Sequence, residues 1–239
     1  MPTQDGSERL SAARAAIAAA RREARHLLEP EAYRLLAAYG IPCPEGEFCA
    51  SADDAASLAG RLPPPLVVKV VSPDVLHKSD AGGVILGCRN AGEVRSAFAA
   101  VVAAARRHVP GARVAGAMVC RQAPPGVECI VGALRDAQFG PAVMFGLGGV
   151  FVEVMRDVTF RIAPTGPADA AEMLGEIRGQ SLLAGARGRP PADRAALADV
   201  ICRVSQLVFE VPEVAEIDLN PVVAFSRGAM VLDARVLLT

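Results

Sequence analysis

Glu216-Ile-Asp-Leu-Asn-Pro221 is the stretch whose reading decides most about this chain. A strand sends alternate side chains to opposite faces, so Glu216, Asp218 and Asn220 share one face while Ile217 and Leu219 take the other. Three oxygen-bearing side chains in line suit a hard cation such as Mg²⁺. A half-buried strand whose polar face simply meets water shows the same alternation. Downstream, a turn at Ser226-Arg-Gly228 folds 229–238 back as a hairpin arm. A loop of two or four residues around Arg227-Gly228 pairs Val222 with Asp233 and puts Asp233 on the Asn220 face, one diagonal step away. A three-residue loop turns it to the other face.

Upstream of this hairpin, Leu197, Val200, Ile201, Val204, Leu207 and Val208 recur at helical spacing within a helix over about 192–210. A second helix is expected over about 167–178. Before it the chain is strand-rich, with candidates at 117–121, 127–134, 142–145 and 159–163. Turns at Pro124-Pro-Gly126 and Gly146–Gly149 separate them. Further back, Leu66-Val-Val-Lys-Val-Val71 and Val84–Cys88 read as strands. A capping box at Ser51–Asp54 opens a helix before them, and Asn90 with Glu93 caps another that runs to about His108. The Ala/Arg-rich residues 8–29 read as a helix ended by Pro30, or as a loosely docked arm, and Glu31–Tyr39 as a helix stopped at Gly40. Strands are grouped rather than alternating strictly with helices, which is an α+β order.

Composition narrows the function classes. The 25 basic and 26 acidic residues nearly cancel, which gives no footprint for nucleic acid. Six cysteines, at 43, 49, 88, 120, 129 and 202, form no CxxC pair and have no neighbouring His, so neither a zinc site nor a disulfide framework is expected. The charged N-terminus has no signal-peptide pattern and no apolar run reaches membrane-spanning length, so the cytoplasm is the expected location. No GxxxxGK[ST] or helix-opening GxGxxG is present.

Chemistry-bearing residues stand out against this background. Lys69 interrupts an apolar strand, where an ammonium needs a partner such as a phosphate, or else marks a sheet edge. The loop Ser72–Gly83 ends in the pair Gly82-Gly83, whose exposed backbone N–H groups suit a lid over phosphates, and it carries His77. Glu128 is a carboxylate in an apolar strand, placed to bond a ribose hydroxyl or to face water. Phe145-Gly-Leu-Gly-Gly-Val150, with Glu153 beyond it, is a glycine-dense turn, and Gly185-Ala-Arg-Gly-Arg189 is a basic loop in which Arg187 is within reach of a phosphate.

Leu28-Glu-Pro-Glu31, Tyr39-Gly-Ile-Pro42, Val68-Lys-Val70, His77-Lys-Ser-Asp-Ala-Gly-Gly-Val84, Phe139-Gly-Pro141, Phe145–Gly149, Arg161-Ile-Ala-Pro164, Gly185–Gly188 and Glu216–Pro221 occur in one order. That order resembles the ATP-grasp part of ADP-forming acetyl-CoA (acyl-CoA) synthetases of the β-subunit type, which is similar to the β subunit of succinyl-CoA synthetase. The resemblance implies an ATP-grasp fold over 28–239, with a small lobe at about 43–120, a remaining lobe at about 121–239 and the nucleotide between them. Residues 1–27 lie outside it. It implies that Lys69 contacts the ATP phosphates, Glu128 holds the ribose and the strand around Met118 and Val119 lines the adenine pocket. It further implies that Asn220 and Asp233 coordinate Mg²⁺ with Asp218 in support, and that His77 takes the phosphoryl group during transfer. The reaction implied is acyl-CoA + ADP + phosphate ⇌ acid + CoA + ATP. The CoA-binding portion of the family has no counterpart here, so a separate CoA-binding α subunit that brings the acyl substrate is expected, in a hetero-oligomer. Two alternatives stand beside this: an ATP-grasp carboxylate–amine ligase, and a non-catalytic nucleotide-binding regulatory subunit.

Overall fold

Among the described residues, two antiparallel sheets, of six and four strands, organise the chain. The computed structural model describes residues 6–75, 77–149, 157–185 and 190–239. Within them the chain forms two compact units, one of residues 1–43 with 125–239 and one of residues 44–124.

The first unit begins with helices α1 (Gly6–Arg22) and α2 (Glu29–Ala38). The single helix expected over 8–29 therefore stops at Arg22, and Pro30 starts α2 rather than ending α1. Proline is compatible with a first turn because the N–H it lacks has no helical partner there. Glu31 closes that turn by accepting from the Leu28 N–H at 2.8 Å. Helix α1 is docked rather than a loose arm: Ala13, Ala16, Ile17 and Ala20 are buried, and Arg9 pairs with Glu210 at 3.3 Å.

The six-stranded sheet runs β10-β8-β5-β6-β7, with β9 also paired to β8. Its strands are β5 (Val127–Asp136), β6 (Gly140–Leu147), β7 (Val158–Ile162), β8 (Val214–Ala224), β9 (Ala229–Val231) and β10 (Ala234–Leu238). Helices α5 (Pro167–Glu176) and α6 (Arg194–Glu210) complete the unit, with a 3₁₀ turn at Arg178–Leu182. The apolar spacing seen in the sequence is the buried face of α6, with Leu197, Val200, Ile201, Val204, Leu207 and Val208 all inside. Against it lie Val131, Ala133, Val143, Phe145, Ile217 and Leu219, one alternate set of sheet positions and all buried. Burying one such Phe or Leu contributes roughly 1.5–3 kcal/mol, so this helix-to-sheet layer contributes much of what holds the central strands in place. Asp193 caps α6 by accepting from the Ala196 N–H at 3.0 Å and reaches the β8–β9 turn by accepting from the Gly228 N–H at 2.8 Å. These bonds, the one from Gly228 foremost, hold its carboxyl below the usual carboxylate range.

The second unit carries β1 (Gly46–Cys49), α3 (Ala52–Ala59), β2 (Leu66–Val71), β3 (Val84–Cys88), α4 (Ala91–His108) and β4 (Gly116–Arg121), in sheet order β1-β4-β2-β3. The short strand β1 has no counterpart in the sequence reading; it is added at the edge through pairing with β4. Both expected caps form: the Ser51 hydroxyl accepts from the Asp54 N–H at 3.1 Å, and the Asn90 side chain accepts from the Glu93 N–H at 2.9 Å. Leu66, Val68 and Val70 of β2 and Ala117 and Val119 of β4 join Leu58, Val94, Phe98 and Val101 in one apolar cluster beneath α3 and α4.

Candidate functional site

The hairpin at the end of the chain differs from the expected register in an instructive way. Its loop has four residues, 225–228, closed by the Phe225 N–H donating to the Gly228 carbonyl at 3.0 Å. Val222 pairs with Val231, not with Asp233. The next recorded pair on the same two arms is Leu219 with Ala234, so Asn220-Pro221 and Leu232-Asp233 are left facing each other. In register Asn220 lies opposite Asp233. The shift from the expected pairing is two residues, an even number, and Asp233 keeps the face anticipated for it.

A bulge explains the interruption. Cys129 pairs with Val222 but Val131 pairs with Leu219, so Ile130 alone faces both Asn220 and Pro221. An extra residue in one strand breaks the ladder and re-aims the side chains beside it. The third arm answers with its own break at Leu232–Asp233, between β9 and β10.

The open face of the sheet, opposite α6, therefore carries a row of polar side chains. Asn220 on it is exposed, while Asp218 and Asp233 are half-buried. Glu216 belongs to the same face but is occupied by Arg235, whose guanidinium approaches its carboxylate at 2.6 Å. Sequence reading did not single out Arg235; its position two residues beyond Asp233 was the available signal. Glu128 alternates with Ile130, Gly132 and Leu134 along β5 and so shares this face, exposed. The glycine-dense turn after β6 meets it directly, with the Gly148 N–H donating to the Glu128 carbonyl at 2.9 Å.

Asp218, Asn220 and Asp233 offer only oxygen and amide donors, the chemistry Mg²⁺ prefers. Among the described residues no group of three His, Cys, Asp or Glu side chains is placed to hold a metal. Mg²⁺ is commonly held by one or two carboxylates with substrate phosphates and water supplying the rest, and this donor set fits that mode rather than a cage built from protein alone.

In the second unit Lys69 is 6% exposed and lies on an internal strand, between β4 and β3. The edge-protection reading of this lysine is therefore removed. It pairs with Met118 on one side and Val84 on the other, so these three share a face. Val119 points the other way, into the cluster under α3 and α4. His77 is exposed in the connection between β2 and β3, and its carbonyl accepts from the Ala81 N–H at 3.2 Å. Val75 before it and Ala81 after it are both buried in the apolar cluster. Gly82 has φ +65°, the left-handed region where a side chain is strained. Gly83 is needed for space: a Cβ there would lie 2.5 Å from the Val70 side chain. Asp74 anchors the start of the connection, accepting from the Arg113 N–H and side chain at 2.7 Å each.

Arg187, Val150 and Glu153 lie outside the described residues. The cysteines offer little reactivity: burial pushes the Cys129 thiol up to about 12 and the Cys49 thiol up to about 11. A hollow of about 690 Å³ beside β3 and α4, lined by Leu86, Asn90, Glu93 and Ser96 among others, contains none of the candidate residues. Among the described residues no helix is long and apolar enough to cross a membrane.

The profile of the ATP-grasp domain matches residues 18–238. The chain belongs to the ATP-grasp family. Within it, this ATP-grasp chain is 47% identical over 231 residues to the β subunit of acetate–CoA ligase [ADP-forming] I of Pyrococcus furiosus, a match covering 97% of this chain and 100% of that one. It thus belongs with the β subunits of ADP-forming acetate–CoA ligases, as the order of its motifs implied. It is also 46% identical to acetate–CoA ligase [ADP-forming] I of Archaeoglobus fulgidus, where it covers 87% of its own length but 30% of the longer protein. Its fold superposes with a TM-score of 0.92 on the dinucleotide forming acetyl-coenzyme A synthetase 1 of Ca. Korarchaeum cryptofilum, solved with coenzyme A and Ca-AMPCP. That match has 45% sequence identity and covers 95% of this chain and 100% of the other. Another structure of the same enzyme holds Mg-AMPPCP, with its phosphohistidine segment pointing towards the nucleotide binding site. The α+β ATP-grasp fold expected from the sequence is thereby borne out.

Proposed function

We propose that this chain is the nucleotide-handling β subunit of an ADP-forming acyl-CoA synthetase. It passes a phosphoryl group between ADP/ATP and His77 while a companion CoA-binding α subunit handles the acyl group, so that acyl-CoA + ADP + phosphate interconverts with acid + CoA + ATP. The observation that carries the reading is the placement of Asn220 opposite Asp233, with Asp218 and Glu128 on the same sheet face, in a chain 47% identical to a β subunit of such an enzyme.

The division of labour follows from the side chains. Lys69, buried and fixed by its strand, is the cation for the phosphates; Met118, on its face, is the apolar contact for the base, whereas the Val119 side chain is committed to the core. Glu128 accepts from the ribose hydroxyls. Gly82 and Gly83 let the backbone of the His77 loop come close to the phosphates without a side chain in the way. Arg187 adds a second cation. Asn220 and Asp233 hold Mg²⁺ with Asp218 in support, and the ion's part when bound is to neutralise charge on the phosphates. His77 is the acceptor: its imidazole nitrogen forms a bond to the γ-phosphorus of ATP as the bond from that phosphorus to the ADP oxygen breaks. The phosphoryl group then passes to a carboxylate oxygen of the acid on the companion subunit, freeing the imidazole and giving an acyl phosphate from which the CoA thiol takes the acyl group with release of phosphate. A subunit of this kind works in the cytoplasm.

A carboxylate–amine ligase would leave His77 without a role. A regulatory subunit would need neither an acceptor nor a metal row.

Titration of the isolated chain with ADP, with and without Mg²⁺, tests the site. Binding should require the metal, and Asp233→Ala should weaken the Mg²⁺-dependent component roughly 10-fold or more. Unchanged binding in that variant would remove Asp233, and the hairpin-face argument, from the site.

A further inference from the structure

The open face of the six-stranded sheet continues past its carboxylates. Cross-strand pairing runs from Asp218 through Gly132 and Met144 to Phe160, and in the next row from Glu216 through Leu134 and Ala142 to Ile162. Residues opposite one another across a sheet share a face, so these apolar side chains stand on the same surface as the polar row. They are open to solvent: Leu134 is 43% exposed, Phe160 51% and Ile162 54%, and Phe139 in the β5–β6 turn is 69% exposed. Their alternate neighbours on β7 are spent on the other side. The Thr159 hydroxyl donates to the Met173 carbonyl at 3.4 Å, and Arg161 donates to Glu176 of α5 at 3.0 Å. Exposed large apolar side chains gathered on one face mark a surface that is covered in use.

We propose that this apolar end of the open face, built on Leu134, Phe160 and Ile162 with Phe139 in the adjoining β5–β6 turn, docks the companion CoA-binding subunit. The proposal rests on the function argued above. Two observations name the occupant. The same ATP-grasp unit makes up a whole β subunit in the Pyrococcus relative, yet 30% of a single longer chain in the Archaeoglobus one. A unit used both ways needs a surface that holds the remaining portion without a covalent link. The second observation is position. Strands in a sheet lie about 4.8 Å apart, so β7 is three steps, roughly 14 Å, from Asp218 on β8. A subunit seated on Phe160 and Ile162 is within one short loop of the phosphoryl-transfer row. Its facing surface is apolar, since none of the four side chains carries charge.

The test co-expresses the companion subunit with the full chain, wild type or carrying Phe160→Asp, Ile162→Glu or Phe209→Asp. Association is read by size-exclusion chromatography and calorimetry. Phe209 is 53% exposed on α6, on the helical side of the sheet, and controls for any exposed apolar residue. Phe160→Asp and Ile162→Glu should each weaken association roughly 30-fold or more, the loss typical of an interface hot spot. Phe209→Asp should not. All three should keep the melting temperature and the ADP affinity of the isolated chain, and Ile162→Glu decides alone if Phe160→Asp fails to fold. Wild-type association by both sheet variants overturns the docking surface and leaves the nucleotide reading untouched. A wild-type chain that binds ADP but does not associate overturns the partner reading and this surface with it. Self-association that Phe160→Asp abolishes would instead give the face to a second copy of this chain.

Discussion

Replacing His77 with Ala is expected to lower phosphoryl transfer by roughly four orders of magnitude, the scale seen when a covalent nucleophile is removed. Fold and nucleotide affinity should persist. The side chain is exposed, and the hydrogen bond that shapes its turn is made by its backbone carbonyl to the Ala81 N–H, which Ala supplies equally. The turn is held instead by Val75 and Ala81, buried on either side, and by Asp74 clasping Arg113. The choice of residue matters chemically. An imidazole keeps a free lone pair near pH 7, which a lysine ammonium does not, so Lys78 next door cannot stand in. The check is incubation with γ-labelled ATP followed by gel separation. Wild type should retain acid-labile label and the variant none. Equal labelling of the variant would take the acceptor role away from His77.

Lys69→Met is expected to weaken Mg·ADP and Mg·ATP binding on the order of 100-fold, through loss of a charge-assisted contact to phosphate. Met preserves the length and apolar bulk of a side chain that sits on an internal strand at 6% exposure, so the substitution keeps the packing and removes the ammonium. Calorimetry decides. Affinity within threefold of wild type would mean that Lys69 serves the fold and not the nucleotide.

Much of the fold was legible because local chemistry agrees with it. Ser51 and Asp54 cap α3, Asn90 caps α4, and the apolar stripe of α6 is its buried face. The polar face of β8 was legible for the same reason, since alternation is a property of one strand. What was not legible depends on pairing between distant segments. Strand β1 is four residues long and forms on an edge already prepared by β4. The break in the ladder beside Asn220 is decided at β5, on the far side of β8, where Ile130 faces Asn220 and Pro221 together. No rule local to the hairpin contains that information. Whether Lys69 lay at an edge was likewise a question of topology, answered by β3 and β4 on its two flanks. Pro30 could end one helix or begin the next, and the Glu31 side chain on the Leu28 N–H favours the beginning. Val119 turns its side chain into the core of its own unit, because it neighbours Met118 on β4 and neighbours on a strand cannot share a face.

The central claim, that this chain supplies the nucleotide half of an ADP-forming acyl-CoA synthetase, is tested most directly by reconstituted turnover. The chain is mixed with its separately purified companion subunit, acetyl-CoA, ADP, phosphate and Mg²⁺, and ATP formation is followed. ATP should appear with both subunits present and with neither alone, and omission of ADP, phosphate or Mg²⁺ should stop it. AMP and pyrophosphate as the products of the reverse reaction, or no turnover from a mixture in which both subunits are folded and associated, would contradict the account.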